Sequence, residues 1–282
     1  MNENWILSDW LVLPYTPDQK AWRASLHQAA AKAGRTIFEW DQGGETDWNT
    51  RPLLLTANVT SALSIQSDPA RIAAVIGSLD VATPNNLSTS ERHDVVRAVT
   101  DGFAQLALLP PERIFSSENF NGSPLEILPD LIVSPPPENL PSTTPLATAL
   151  EIHLKDKAIW PVEIFSWSSP FQRDGDFAVL DLTGRPRFLA FGPYIVMPAG
   201  RWKARFRITF DDYASRYLFR VDWGGVEHYS SHEFRPSKAG LYELEMSFDW
   251  SERAPCEFRV LLREGAFHGE VAISDLTIIR ES

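Results

Sequence analysis

Between Arg201 and Phe210 every second residue is apolar. Trp202, Ala204, Phe206, Ile208 and Phe210 fall on one side of an extended chain, and Lys203, Arg205, Arg207 and Thr209 on the other. A period of two with one apolar face is the pattern of a half-buried antiparallel strand. It recurs at Tyr217, Phe219, Val221 and Trp223, again at Tyr242, Leu244, Met246, Phe248 and Trp250, and at Phe258, Val260 and Leu262. Residues 271–279 supply one more apolar strand. The outward residues are basic around 203–207 and acidic at Glu243 and Glu245, which suits cross-strand ion pairing. Such a series predicts a β-sandwich or jelly roll. Trp202, Trp223 and Trp250 share the phase of its core, and Gly192-Pro193-Tyr194 and Pro198-Ala199-Gly200 read as turns.

The first half has a different rhythm. Short apolar strands are predicted at 11–13, 36–38 and 53–55. A helix from about Pro17 follows the first, with Trp22, Leu26, Ala29, Ala30 and Ala33 as its buried stripe and Gly34 beyond its end. Asp68-Pro69 reads as the start of a short helix carrying Ile72, Val75, Ile76 and Leu79 on one side. Ser88-Thr89-Ser90-Glu91 has the form of a capping box opening a longer helix with Val95, Val99, Phe103 and Leu106 as its stripe. Alternating β and α predicts a mostly parallel sheet covered by helices, a small three-layer α/β domain. Residues 58–66 and 113–133 give no clear pattern.

Between the halves lie Ser134-Pro135-Pro136-Pro137-Glu138 and Pro141-Ser142-Thr143-Thr144-Pro145. Proline lacks the backbone donor and restricts its predecessor, so an extended spacer is expected. The expected organisation is an α/β domain over 1–133, a proline-rich linker over 134–150 and a β-sandwich over 151–282. A formal net charge of −11 argues against phosphate neutralisation of a nucleic acid and against an anionic membrane surface. No apolar run approaches the ~18 residues of a membrane span. The single cysteine, Cys256, excludes an internal disulfide, and the acidic start at Glu3 and Asp9 is unlike a secretory signal. A cytoplasmic protein is expected.

The segment FGPYIVMPAGRW, the alternating strands and EFRVLLREGAFHGEVAISDLTIIR resemble the galactose-binding-like β-sandwiches, a group with many carbohydrate-binding modules. The likeness spans about residues 160–282. It implies a jelly roll and a saccharide ligand.

Sugars present apolar C–H faces to flat aromatic rings, and Trp and Tyr add a polar handle. Trp160, Trp167, Tyr194 and Tyr229 fall at loops or strand ends and are the candidate saccharide contacts; sealing a domain interface is the alternative for them. Asp174-Gly175-Asp176 has the Asp-x-Asp form that holds a divalent metal in nucleotide-sugar transferases; a polar turn is its other reading. His228 and His232 are ligand-spaced only on a helix. Ligands of parallel sheets bind beyond the carboxyl ends of strands, which places Tyr15, Thr16 and Asn58 near any pocket of the α/β half. The acidic group Glu39, Asp41, Glu45 and Asp47 follows the second strand there.

Nucleophile-elbow, dinucleotide and phosphate-loop patterns are missing, and no motif requires a cofactor. The sequence therefore points to a non-catalytic two-domain protein with a carbohydrate-binding sandwich, linked to surface-polysaccharide metabolism. A nucleotide-sugar-dependent glycosyltransferase-like enzyme working through the α/β half is one alternative, and a protein-interaction scaffold another. A saccharide partner and a homo-oligomer fit the reading; nucleic acid and membrane insertion do not.

Overall fold

A computed structural model describes residues 8–16, 18–42, 52–77, 79, 88–137 and 144–281. The chain divides into two compact units, residues 1–82 with 102–143 and residues 83–101 with 144–282.

In the first unit the elements are β1 (Asp9–Val12), α1 (Gln19–Lys32), β2 (Ile37–Glu39), β3 (Leu53–Thr56), α2 (Val59–Leu63) and β4 (Ile72–Ile76). After α3 (Thr89–Ala104), which passes from one unit to the other, come β5 (Ile114–Ser116), α4 (Ser117–Phe120), β6 (Leu125–Leu128) and β7 (Leu131–Val133). Five strands form a parallel sheet in the order β2-β3-β1-β4-β5. Leu11, Leu53, Leu55, Ala73 and Val75 face Trp22, Leu26, Ala29 and Ala30 of α1 and the β6–β7 hairpin in one core cluster. The alternate residues Trp10, Val12, Leu54, Ile72, Ala74 and Ile76 are buried as well. A sheet covered on both sides reads as unbroken apolar runs, and that is what these strands show.

The expected helix 68–79 is corrected on this ground. Asp68 does accept from the Ala70 N–H at 3.0 Å, yet the turn it caps ends at Arg71 and the apolar run becomes β4. A short, fully buried run fits either period, and β-branched Ile72, Val75 and Ile76 favour the strand. Gly34 sits just past α1 at φ 67° as expected. The 88–91 box forms: Glu91 accepts from the Ser88 N–H at 2.8 Å, and Ser88 Oγ lies 3.4 Å from the Glu91 N–H. Of the expected stripe Phe103 and Leu106 are buried, while at its start the buried positions are Val96 and Thr100, one residue on from Val95 and Val99. Residues 59–63, without a clear sequence pattern, form α2.

The second unit contains α5 (Pro145–Leu150), β8 (Lys157–Trp160), β9 (Ser166–Trp167), β10 (Gln172–Asp174), β11 (Phe177–Asp181), β12 (Arg187–Met197), β13 (Gly200–Phe210), β14 (Phe219–Gly225), β15 (Tyr229–Phe234), β16 (Gly240–Trp250), β17 (Ala254–Leu262), β18 (Glu270–Ser274) and β19 (Leu276–Arg280). Part of the stretch expected as an extended linker is thus helical. Thr144 caps α5 by accepting from the Ala147 N–H at 3.2 Å, and Ala147, Ala149 and Leu150 are buried. Proline at the first helical position costs no hydrogen bond, which is why Pro145 starts the helix instead of preventing it.

Two antiparallel sheets form the sandwich. One runs β10-β11-β18-β13-β19-β8, with β16 on the other side of β13; the second runs β15-β14-β17-β12-β9. The predicted inward residues of β13, Trp202 to Phe210, are all within 2% of full burial. Rings from the two sheets meet at Phe206–Phe258 (5.0 Å) and Phe210–Phe219 (4.8 Å). On the outer side Arg205 pairs with Glu245, and Lys203 lies 3.3 Å from Glu245 and 3.1 Å from Glu281, the charge pairing expected from the sequence. Gly192-Pro193-Tyr194 is not a turn: it lies inside the eleven-residue β12, at a register irregularity between Pro193 and Val196. Neighbouring β9 pairs only with Ala190 and Phe191, so the donor that Pro193 lacks is not needed for that ladder.

Candidate functional site

The outward side of the β15-β14-β17-β12-β9 sheet carries a connected cluster of polar and aromatic side chains. Strand alternation puts it there. Val221, Trp223, Phe258 and Val260 point into the core, so Asp222, Glu257 and Arg259 must point away from it. In register, Ser231, Asp222, Arg259, Phe191 and Ser166 form one row across all five strands.

Asp222 is the hub of that row and its side chain is only 1% exposed. Its Oδ1 accepts from Arg220 Nε (2.7 Å) and Ser231 Oγ (2.7 Å), and its Oδ2 from Arg259 Nε (3.1 Å), with Arg259 Nη2 at 2.9 Å. A buried carboxylate is tolerable only when paired and hydrogen-bonded, and this one is both. Asp222→Ala should therefore cost about 2–3 kcal/mol, less than a fully buried pair because both arginines reach solvent; urea denaturation of the variant checks it.

Glu257, almost as buried, holds the other half of the cluster. Its Oε1 accepts from the Tyr194 hydroxyl at 2.7 Å, and its Oε2 lies 2.6 Å from the Tyr229 hydroxyl, which also approaches the Val226 carbonyl at 2.7 Å. Burial, reinforced by hydrogen bonding to the Glu257 carboxylate, raises both phenol pKa values. Both hydroxyls accordingly keep their protons and are fixed in position. The Arg259 guanidinium stacks 3.8 Å from the centre of the Tyr229 ring and 5.6 Å from that of Phe188, which is 42% exposed. Residues 89–101 of α3 lie along β12 here. His93 Nε2 is 3.0 Å from Ser166 Oγ, its ring is 4.5 Å from Tyr194, and Thr100 Oγ1 accepts from the Val196 N–H at 2.9 Å. Burial lowers the His93 pKa.

Of the four aromatic candidates, the structure brings together Tyr194 and Tyr229. Trp160 is excluded as an exposed contact: it is fully buried, donates to the Ala149 carbonyl at 3.2 Å and packs 5.7 Å from Trp223. Trp167, on the edge strand of the same sheet, is half-buried, donates to the Val162 carbonyl at 2.9 Å and packs against Phe171.

Asp174, Gly175 and Asp176 make the tight turn between β10 and β11, with Gly175 at φ 58° and Asp176 paired to Arg207. Among the described residues no group of three or more His, Cys, Asp or Glu side chains could hold a metal ion. His228 and His232 lie at and within β15, not on a helix.

In the first unit Tyr15 is 64% exposed, the Thr16 hydroxyl is buried without a partner among the described residues, and the Asn58 N–H donates to Thr56 Oγ1 at 3.1 Å. Asp41 ties down the end of β3, accepting from Thr56 Oγ1 (2.8 Å) and the Ala57 N–H (2.7 Å). Glu45 and Asp47 lie outside the described residues.

Asp222, Glu257, Arg259, Phe188 and His93 were not among the sequence candidates. The available signal was phase: each charged member of the sheet cluster stands between two core positions. No protein-family model matches the chain, and no curated protein matches it. Solved structures do. One is the carbohydrate-binding module CBM61 in complex with β-1,4-galactotriose, at 13% identity and TM-score 0.32, covering 45% of this chain and 83% of that one. Another is the C-terminal CBM6 of a marine laminarinase from Zobellia galactanivorans, at 14% and 0.32, covering 44% and 99%. A third is a CBM36 domain of a multidomain xylanase from the hindgut metagenome of Trinervitermes trinervoides, at 12% and 0.31, covering 45% and 98%. The sandwich is similar to carbohydrate-binding modules.

Proposed function

We propose that the second unit, a galactose-binding-like sandwich, recognises saccharides on the outward side of its β15-β14-β17-β12-β9 sheet. The supporting observation is the Arg259 guanidinium, held by Asp222 and stacked on Tyr229, next to the exposed ring of Phe188. A sugar needs an apolar surface for its C–H face and rigid donors for its hydroxyls; Phe188 offers the first, and the Arg259 and Arg220 guanidinium groups the second. The role is recognition without chemistry. The oxygens of Asp222 and Glu257 are occupied by arginine, serine and tyrosine partners, so neither carboxylate is placed to exchange a proton with a substrate.

Titration of a panel of neutral β-linked gluco-, galacto- and xylo-oligosaccharides tests this. At least one should bind saturably, and Phe188→Ala should weaken it about tenfold while leaving the urea midpoint unchanged. Failure of every oligosaccharide to bind at millimolar concentration would sink the reading.

A further inference from the structure

Four connections meet at one end of the sandwich: 182–186, 211–218, 235–239 and 263–269. They are fastened to one another. The Leu182 N–H donates to the Gly269 carbonyl (2.9 Å), the Arg263 N–H to the Leu218 carbonyl (2.9 Å), and the Leu218 N–H to Glu264 Oε1 (2.8 Å). Here an open cavity of about 670 Å³ is lined by Asp212, Tyr213, Arg216, Arg235, Ser237 and Lys238, among others.

The charges in this lining are unbalanced. Arg235 is neutralised by a two-point contact with Glu264, at 2.6 and 3.3 Å. Arg216 and Lys238 form no ion pair among the described residues, and Asp212 is the sole acid in the lining. Two uncommitted cations thus share one cavity on a chain of formal net charge −11. They favour an anion, and a guanidinium is shaped for the two oxygens of a carboxylate. The cavity also has an aromatic wall. Tyr213 is 47% exposed, its ring is braced edge-on by His268 at 4.2 Å, and the Arg216 guanidinium lies 5.7 Å from its centre. Close by, Phe267 is 87% exposed, with its N–H 3.3 Å from the Tyr217 hydroxyl.

A ligand matching both features is a ring with an apolar face and a carboxylate. We infer that this cavity binds an acidic saccharide, a uronate, with its carboxylate on Arg216 and Lys238 and its ring against Tyr213. The inference rests on the saccharide reading above for the nature of the ring, but it uses none of the same residues.

Calorimetric titration of the full chain with D-glucuronate, D-glucose and inorganic sulfate tests it. Glucuronate should bind saturably and at least tenfold more tightly than glucose. It should weaken with added salt and lose at least tenfold in the exposed double variant Arg216→Ala/Lys238→Ala, while Phe188→Ala leaves it unchanged. Equal binding of glucuronate and glucose, unchanged affinity in the double variant, or saturable binding of sulfate without glucuronate would each overturn the assignment. If glucuronate behaves as expected while no neutral oligosaccharide binds, the sheet-face reading fails and this one stands; the reverse outcome separates them in the opposite sense. Should the double variant show a lowered urea midpoint, Lys238→Gln alone repeats the comparison.

Discussion

Trp160→Ala should destabilise the second unit by about 3–5 kcal/mol, the range for removing a large aromatic from a packed core. The residue is fully buried, touches Trp223 and Phe165, and ties β8 to α5 through its bond to the Ala149 carbonyl. Alanine would leave a cavity and remove the side-chain tie to the Ala149 carbonyl at the point where α5 meets the sandwich. Chemical denaturation followed by near-ultraviolet circular dichroism should show the loss. A variant with an unchanged midpoint but weakened saccharide binding would instead return Trp160 to the saccharide contact that its place at a strand end suggests.

Acid should weaken the same unit through His153. The imidazole is buried, and burial lowers its pKa from 6.5 to about 3. The folded state therefore takes up its proton only near pH 3, whereas the unfolded chain takes it up near 6.5. Stability from this group is fully present above pH 6.5 and is lost as pH falls from there toward 3. The slope is about 1.4 kcal/mol per pH unit, so roughly 3 kcal/mol should be gone by pH 4.5. Urea midpoints between pH 7.5 and 4.5 would show this, and His153→Leu should flatten the curve over that interval. An identical slope in the variant would mean that the acid sensitivity lies in the carboxylates.

The sandwich was legible because a half-buried strand writes its environment into alternate residues. β13 and β17 could be read almost residue by residue, and the signs on the outer faces pointed to cross-strand ion pairing, which Arg205 and Glu245 realise. β4 was not legible: a strand covered on both sides has no polar phase, and Ile72–Ile76 fits a helix equally well. Tryptophan shows how far phase reaches. Trp202, Trp223 and Trp250 sit inside long alternating runs and were read as core; Trp160 ends a four-residue strand before a proline, too short a run to show which way it points. That the side chains of the site cluster come together was beyond sequence reasoning for another reason. Tyr194, Tyr229 and Glu257 are far apart along the chain and meet only because β12 lies beside β17 on one side while β15 lies one strand beyond it, across β14, on the other. Tyr213, Arg216 and Lys238 likewise converge only once two loops have been folded to the same end.

One long strand of the sandwich has a side with no neighbour. β16 pairs along its full length with β13, and no described strand takes up its other backbone edge. An open row of donors and acceptors invites a foreign strand to join the sheet. Glu243, Glu245 and Asp249 project from this one, so two copies brought rim to rim would set carboxylate against carboxylate. The acidic residues that pair with the cations of β13 thus also put charge along this open rim, where it disfavours the joining of a second strand.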